Sequence, residues 1–272
     1  MKAPVVTLLS DYGLEDGFVG ICHGVIASMC PQARIIDLTH GVARHDVGAG
    51  AQVLAGAIAY LPLGVHVAIV DPGVGSRRRA VALATADGRL LVGPDNGLLW
   101  PAAAVCGGVR EAVEISESPL RLEPVSATFH GRDIFAPIAA HLAAGVPLAD
   151  AGVPLDPAVL LTLELPRAQL LDGGSLAVVV AHVDRFGNVQ LGATGADAEA
   201  AGLAPGGAVR LELAGGAEAA ARYVATFADG GDGELLLYAD ATASLALAVN
   251  RASAADRLGL AAGDELRLTP GG

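Results

Sequence analysis

Val65-His66-Val67-Ala68-Ile69-Val70-Asp71-Pro72-Gly73-Val74-Gly75 is the stretch on which the reading of the fold turns. Its first six residues are mostly apolar and β-branched, and the run is short enough for one buried strand. Asp71 then ends the run and two glycines follow. In open α/β sheets, ligands gather just beyond the carboxyl ends of strands, so Asp71 belongs at the mouth of a site. Ser76-Arg77-Arg78-Arg79 comes next, and Arg78 has the reach to fold back over the carboxylate.

Working outward, strand-like and helix-like segments alternate. Val5 to Leu9 reads as a strand, and Asp16 as the cap of a helix running to about Cys30. Pro31 stops that helix. Ala33 to Leu38 is the next strand, Gly48 to Leu61 an alanine-rich helix, Ala80 to Ala86 and Leu90 to Val92 strands about a turn at Asp87-Gly88, and Asp133 to Ala144 a helix. This order predicts an α/β fold with an N-terminal, mainly parallel sheet covered by helices. After about residue 165 the pattern changes to short strand-like pieces: Leu176 to Val183, Val209 to Leu213, Arg222 to Phe227, Glu234 to Leu237 and Glu265 to Leu268. Gly-, Ala- and Asp-rich turns separate them, which predicts a smaller C-terminal all-β, barrel-like domain. The expected domains are 1–165 and 170–272, with Leu165-Pro166-Arg167 as the link.

A net charge of −12 argues against phosphate-backbone binding and so against a nucleic-acid partner. Hydrophobic residues make up 53% of the 272, yet no uncharged apolar run reaches the length of a membrane span, so a cytoplasmic protein with no membrane partner is expected. Cys22, Cys30 and Cys106 show neither a paired framework nor metal-ligand spacing, and read as small core residues in a reducing compartment.

Three further stretches offer chemistry. Ser10-Asp11-Tyr12-Gly13-Leu14-Glu15-Asp16 puts Asp11 at a strand end, where a carboxylate can accept bonds from a ribose diol. Asp16 reads equally well as a helix cap. Thr128-Phe129-His130-Gly131-Arg132-Asp133 holds a histidine beside a glycine. Asp184-Arg185-Phe186-Gly187-Asn188 offers a ring on which a flat base can stack and an amide to read its edge, or an ordinary hairpin turn with a buried Phe. His23, His141, His66 and His182 read as packed or surface residues, and His40, after Asp37, as an indirect support.

Taken in order, these stretches, with Asp37-Leu38-Thr39-His40, Gly93-Pro94-Asp95-Asn96-Gly97 and Ala248-Val249-Asn250, resemble the S-adenosylmethionine (SAM) hydroxide adenosyltransferase family, relatives of the fluorinases and chlorinases. The resemblance covers nearly the whole chain. It implies hydrolysis of SAM, without a cofactor, by water attacking the ribose C5′ carbon, with adenosine and methionine as products. It places the family's catalytic triad on Asp71, Arg78 and His130. It implies that Asp11 binds the ribose hydroxyls, that Asp16 and Asp184 meet the methionine ammonium, and that Phe186, Asn188 and Phe227 hold the adenine; Asn250 joins the substrate contacts. It also implies a homotrimer with the sites between subunits. Halogenating relatives carry a tyrosine where Asp71 stands, and a carboxylate repels a halide, so hydrolysis is expected. Tyr238 to Ser244 departs from the family pattern that helps hold the methionine carboxylate, leaving Thr242 as the donor there; His45 stands where fluorinases carry tryptophan.

Two other classes compete. A metal-dependent hydrolase of a nucleoside-type substrate would draw ligands from Asp11, Asp16, His40, Asp71, Asp95 and His130. His-x-His and Glu-x-x-His spacings are absent and arginines flank Asp71, so no catalytic metal is expected. A non-catalytic SAM or adenosine sensor would keep the fold without turnover.

Overall fold

Strands buried on both faces read as unbroken apolar runs, and the centre of the first sheet is built from them. The computed structural model describes residues 3–271, so the expected domain ends at 1 and 272 lie outside the described residues. The chain forms two compact units, one ending at Glu164 and one beginning at Leu165.

The first unit contains β1 (Val5–Ser10), α1 (Phe18–Met29), β2 (Arg34–Thr39), α2 (Val47–Ile58), β3 (Val65–Ile69), β4 (Ala80–Thr85), β5 (Leu90–Pro94), α3 (Trp100–Val105), β6 (Val109–Glu114), α4 (Ala136–Ala143) and β7 (Val153–Leu155). The sheet order is β2-β1-β3-β5-β4-β6-β7. β2, β1, β3 and β5 run parallel. The other half is antiparallel, because the tight turn at Asp87-Gly88 joins β4 to β5 as a hairpin and β6 and β7 extend from it. Alternation along β1 sends Val6 and Leu8 into the cluster that holds Cys22 and Ile26 of α1 and Ile138 of α4. Leu9 points the other way, where Gly50 of α2 lies against Leu9, Val70 and Leu98. Helices thus cover both faces.

β2 and β3 flank β1 on opposite sides. The chain therefore reverses its direction of travel across the sheet at β1, and a crevice opens beyond the carboxyl ends of β1 and β3 at this switch point. Asp11 directly follows the end of β1, and Asp71 comes two residues after the end of β3.

The second unit contains β8 (Gln169–Leu171), β9 (Ser175–Val183), β10 (Val189–Thr194), α5 (Gly195–Ala200), β11 (Ala208–Leu213), β12 (Glu218–Tyr223), β13 (Leu235–Ala239), β14 (Ser244–Val249), α6 (Ala254–Leu258) and β15 (Glu265–Pro270). Pairing of β9 with β10 closes seven strands into a barrel in the order β10-β14-β13-β12-β11-β15-β9, with β8 added beside β9. Leucines and valines from six of these strands, with Ala221 and Tyr223 of β12, fill its interior.

Local details differ from expectation. The N-cap of α1 is Gly17 and no side chain caps it, so Asp16 is not the cap. The expected helix at Asp133 begins as a π-helical turn, Gly131–Phe135, before α4. The expected strand Arg222 to Phe227 is β12, displaced toward the N-terminus because its Glu-Ala-Ala-Ala residues pair with β11. All three cysteines are buried and free. Among the described residues no helix is long and apolar enough to cross a membrane.

His66 sits fully buried in β3 with Nδ1 2.9 Å from Thr7 Oγ1. Burial, with help from the Arg89 guanidinium, pushes its pKa down from 6.5 to about 4. The unfolded chain therefore binds a proton that the folded chain refuses between those values. This contribution to stability is fully present above pH 6.5 and is lost as the pH falls toward 4, amounting to about 3 kcal/mol. Urea midpoints measured against pH should fall through this window, and the fall should flatten in His66→Gln.

Candidate active site

Asn96 Nδ2 donates to the Val70 carbonyl at 2.8 Å and pins the end of the β3 run. The chain then turns back on itself: Val74 N donates to Asp71 O and Ser76 N to Gly73 O. Gly75 makes the turn possible, since its φ is +74° and a Cβ there would collide with the Ala127 carbonyl. The Ser76 hydroxyl, bonded to Gly73 O, accepts the Arg78 N–H at 3.2 Å.

That backbone path brings Arg78 over Asp71. Arg78 Nε donates to Asp71 Oδ1 at 3.0 Å and Nη2 to Oδ2, a two-pronged pairing. The side chains are 8% and 6% exposed. Nη2 also lies 3.0 Å from His130 Nδ1. A guanidinium only donates, so Nδ1 is the acceptor and the proton of the neutral imidazole resides on Nε2. Burial first, then the charge of Arg78, lowers the His130 pKa below its ordinary 6.5. Arg78 Nη1 is buried and has no hydrogen-bond partner. The neighbouring arginines go elsewhere: Arg79 pairs with Asp95 at 2.6 Å and binds Val159 O, and Arg77 is exposed.

His130 opens the π-helical turn, a local widening found often at functional sites. Gly131 must be glycine because the Tyr12 hydroxyl occupies the space of a Cβ. Tyr12, Phe18 and Phe129 form an aromatic cluster, with the rings of Phe18 and Phe129 edge to face at 5.0 Å. Burial pushes the Tyr12 phenol well above its usual range, keeping it neutral.

A cleft of about 340 Å³ joins these groups, within the range for small-molecule sites. Asp11, Asp16, Asp71 and His130 line it together, with Tyr12, Phe18, Arg44 and His45. Asp11 Oδ2 accepts the His45 N–H at 2.9 Å, presented by a backbone at φ +65°. Arg44 was not singled out by sequence reasoning, since it carries no motif, and Tyr12 entered only as a member of the stretch that begins at Ser10.

The remaining residues stand on the second unit. Asp184 accepts from Phe186 N, Asn188 N and Asn188 Nδ2 at 2.8–2.9 Å, organising the β9–β10 turn. The turn is a hairpin, but Phe186 is 69% exposed rather than buried. Phe227 is also exposed and lies 4.7 Å from the Tyr238 ring. Burial first, then Asp184 and Asp240, pushes the Tyr238 phenol up to about 12. Asn250 Nδ2 donates to Gly230 O, tying down the loop that carries Phe227. The Thr242 hydroxyl already gives its proton to Asp240 at 2.7 Å, so it is not the free donor expected.

The two-metal alternative lacks its ligand set. Guanidiniums occupy Asp71 and Asp95, and among the described residues the one group of three metal-ligating atoms is His23, Asp37 and His40.

Comparison with known proteins gives the family of the chain. A family model for the SAM hydroxide adenosyltransferase N-terminal domain matches residues 6–152, and the model for its C-terminal domain matches residues 178–267. A protein from Salinispora tropica named (R)-S-adenosyl-L-methionine hydrolase is 52% identical, over 98% of each chain. A fluorinase from Actinoplanes sp. is 31% identical, over 98% of this chain and 97% of its own. The crystal structure of an uncharacterized conserved protein from Thermotoga maritima superposes with a TM-score of 0.90 at 35% identity, covering 97% of this chain and 99% of that one. With both halves matched and relatives aligned over nearly its full length, this chain belongs to the SAM hydroxide adenosyltransferase family.

Proposed function

We propose that this protein hydrolyses SAM to adenosine and L-methionine by attack of water on the ribose C5′ carbon. The observation that carries this reading is a single guanidinium, Arg78, holding Asp71 by two bonds and His130 by a third at the mouth of the cleft. The 52% identical S. tropica protein bears the name of this activity.

The sulfonium leaves as a neutral thioether, so the protein must chiefly place a nucleophile in line with the C5′–S bond. Neutral His130 offers its Nε2–H to the water oxygen. Its Nδ1 lone pair belongs to Arg78, which leaves Asp71 as the proton acceptor. The C5′–O bond forms as the C5′–S bond breaks, its electrons go to sulfur, and one proton leaves the water. No cofactor enters this balance.

Asp11 takes the ribose diol, and Asp16 and Asp184 the methionine ammonium. Phe186 and Phe227 stack on the adenine and Asn188 reads its edge. Asn250 acts by holding the Phe227 loop. Arg44, lining the same cleft, supplies the cation for the methionine carboxylate that Thr242 does not. In this reading the enzyme is a cytoplasmic homotrimer.

Turnover in oxygen-18 water, followed by mass spectrometry, tests the reaction. The heavy oxygen should appear in adenosine and not in methionine, and Asp71→Asn or His130→Ala should lower kcat by about 10²–10⁴-fold. Label-free adenosine would overturn the reading. The pH profile tests the His130 assignment. Since its pKa lies below 6.5, activity should persist through the ordinary imidazole range and fall only in more acidic buffer, as protonation removes the acceptor for Arg78. Arg78→Met leaves the Asp71 carboxylate buried and unmatched, and should lower unfolding stability by about 3–5 kcal/mol in denaturant titrations.

A further inference from the structure

Where β2 leaves the sheet, three side chains that the adenosyl chemistry does not use converge. Asp37 lies near the end of β2, His40 just beyond it, and His23 on α1. His23 Nε2 is 2.8 Å and His40 Nε2 3.0 Å from the same oxygen, Asp37 Oδ1. The ligating atoms all lie within 4.8 Å of one another. We propose that His23, Asp37 and His40 form a site for one divalent transition-metal ion of the zinc class.

The donor set selects the ion. Two imidazoles and one carboxylate suit zinc and its neighbours, whereas magnesium and calcium take oxygen ligands. Three protein ligands leave a fourth position for water.

His40 carries the argument furthest. Its side chain is 4% exposed, and its Nδ1 lies 2.7 Å from Ser10 Oγ, which fixes the ring. Its Nε2 is buried, and Asp37 Oδ1 at 3.0 Å is the one group it meets. A ring anchored at one nitrogen, with the other turned to a carboxylate ligand, is the arrangement that outer partners impose on metal-bound histidines.

The other two ligands supply access and adjustment. The side chains of His23 and Asp37 are 33% and 40% exposed, so an ion can enter from solvent. The present separations are a little shorter than the ~3.3 Å edge of a tetrahedron with ~2.05 Å bonds. A small outward rotation of His23 on the surface of α1 makes room.

The site reaches the catalytic loop through its ligand. Ser10 Oγ also accepts the Tyr12 N–H, and Gly13 N donates to the His40 carbonyl at 2.8 Å. With the ion on Nε2, the His40 proton sits on Nδ1 and is donated to Ser10. The ion thereby stiffens the loop that carries Asp11 and is structural, with no part in the hydrolytic step.

The full-length protein, freed of metal with a chelator, is titrated calorimetrically with Zn²⁺ and by visible absorption with Co²⁺. One ion per chain, strong four-coordinate Co²⁺ bands and a raised Tm are expected. Removing a direct ligand should exceed the ~10–100-fold loss that follows removal of an outer partner. His23→Ala and Asp37→Asn should therefore each weaken Zn²⁺ at least ~100-fold, while His182→Ala leaves it unchanged. Asp37→Asn keeps the side-chain size, and its circular dichroism checks folding. Binding weaker than ~0.1 mM, or unchanged in His23→Ala, overturns the site and shows a proton-bridged cluster only. Neither outcome bears on SAM hydrolysis, which is read separately by labelled adenosine.

Discussion

A carboxylate removed from water must be matched by charge and hydrogen bonds or it will not stay ionised. Arg78 does this for Asp71, and much of the first unit follows from it. The β3 run can end inside the protein because its terminal carboxylate has a partner. The intervening turn has to be tight enough to bring residue 78 back over residue 71, which is why Gly75 passes against the Ala127 carbonyl. The same guanidinium adds to burial in lowering the His130 pKa and dictates which of its nitrogens bears the proton. A chain with Lys at 78 would keep the charge and lose the fork that makes all three contacts at once.

The cleft is also matched to a cationic substrate. Asp11, Asp16 and Asp71 face it, with Arg44 as a single cation near the rim. SAM brings a sulfonium, an ammonium and a carboxylate, so the signs correspond. A halide would have to approach Asp71 against its charge, which separates this site from one built for halogenation. The acidic balance of the whole chain acts in the same direction at longer range.

The central strands were legible because burial on both faces leaves no room for polar alternation, so β1 and β3 stand out as apolar runs. Asp71 and Asp11 were legible as the first charges after those runs. Other elements carried a weaker signal. β6 is Val-Arg-Glu-Ala-Val-Glu, which has neither strand nor helix period, and it is a strand because β4 and β7 pair with it. The alanines of β12 have helix propensity that pairing with β11 overrides. Arg44 and Tyr12 enter the cleft through loop geometry alone. The meeting of His23 with Asp37 and His40 joins a helix to a strand end, a contact that no local pattern announces. Thr242 shows the converse, a plausible donor whose proton is taken by a turn partner two residues away.

The barrel of the second unit has seven strands, and seven is odd. Directions cannot alternate around a closed ring of odd number, so at least one neighbouring pair must run the same way. β12 and β13 are that pair; the other six pairings are antiparallel. Parallel neighbours cannot be joined by a hairpin, so residues 224–234 must travel back along the barrel before β13 can begin. The long loop that presents Phe227 is thus a debt of arithmetic, owed by any chain that closes this ring with an odd strand.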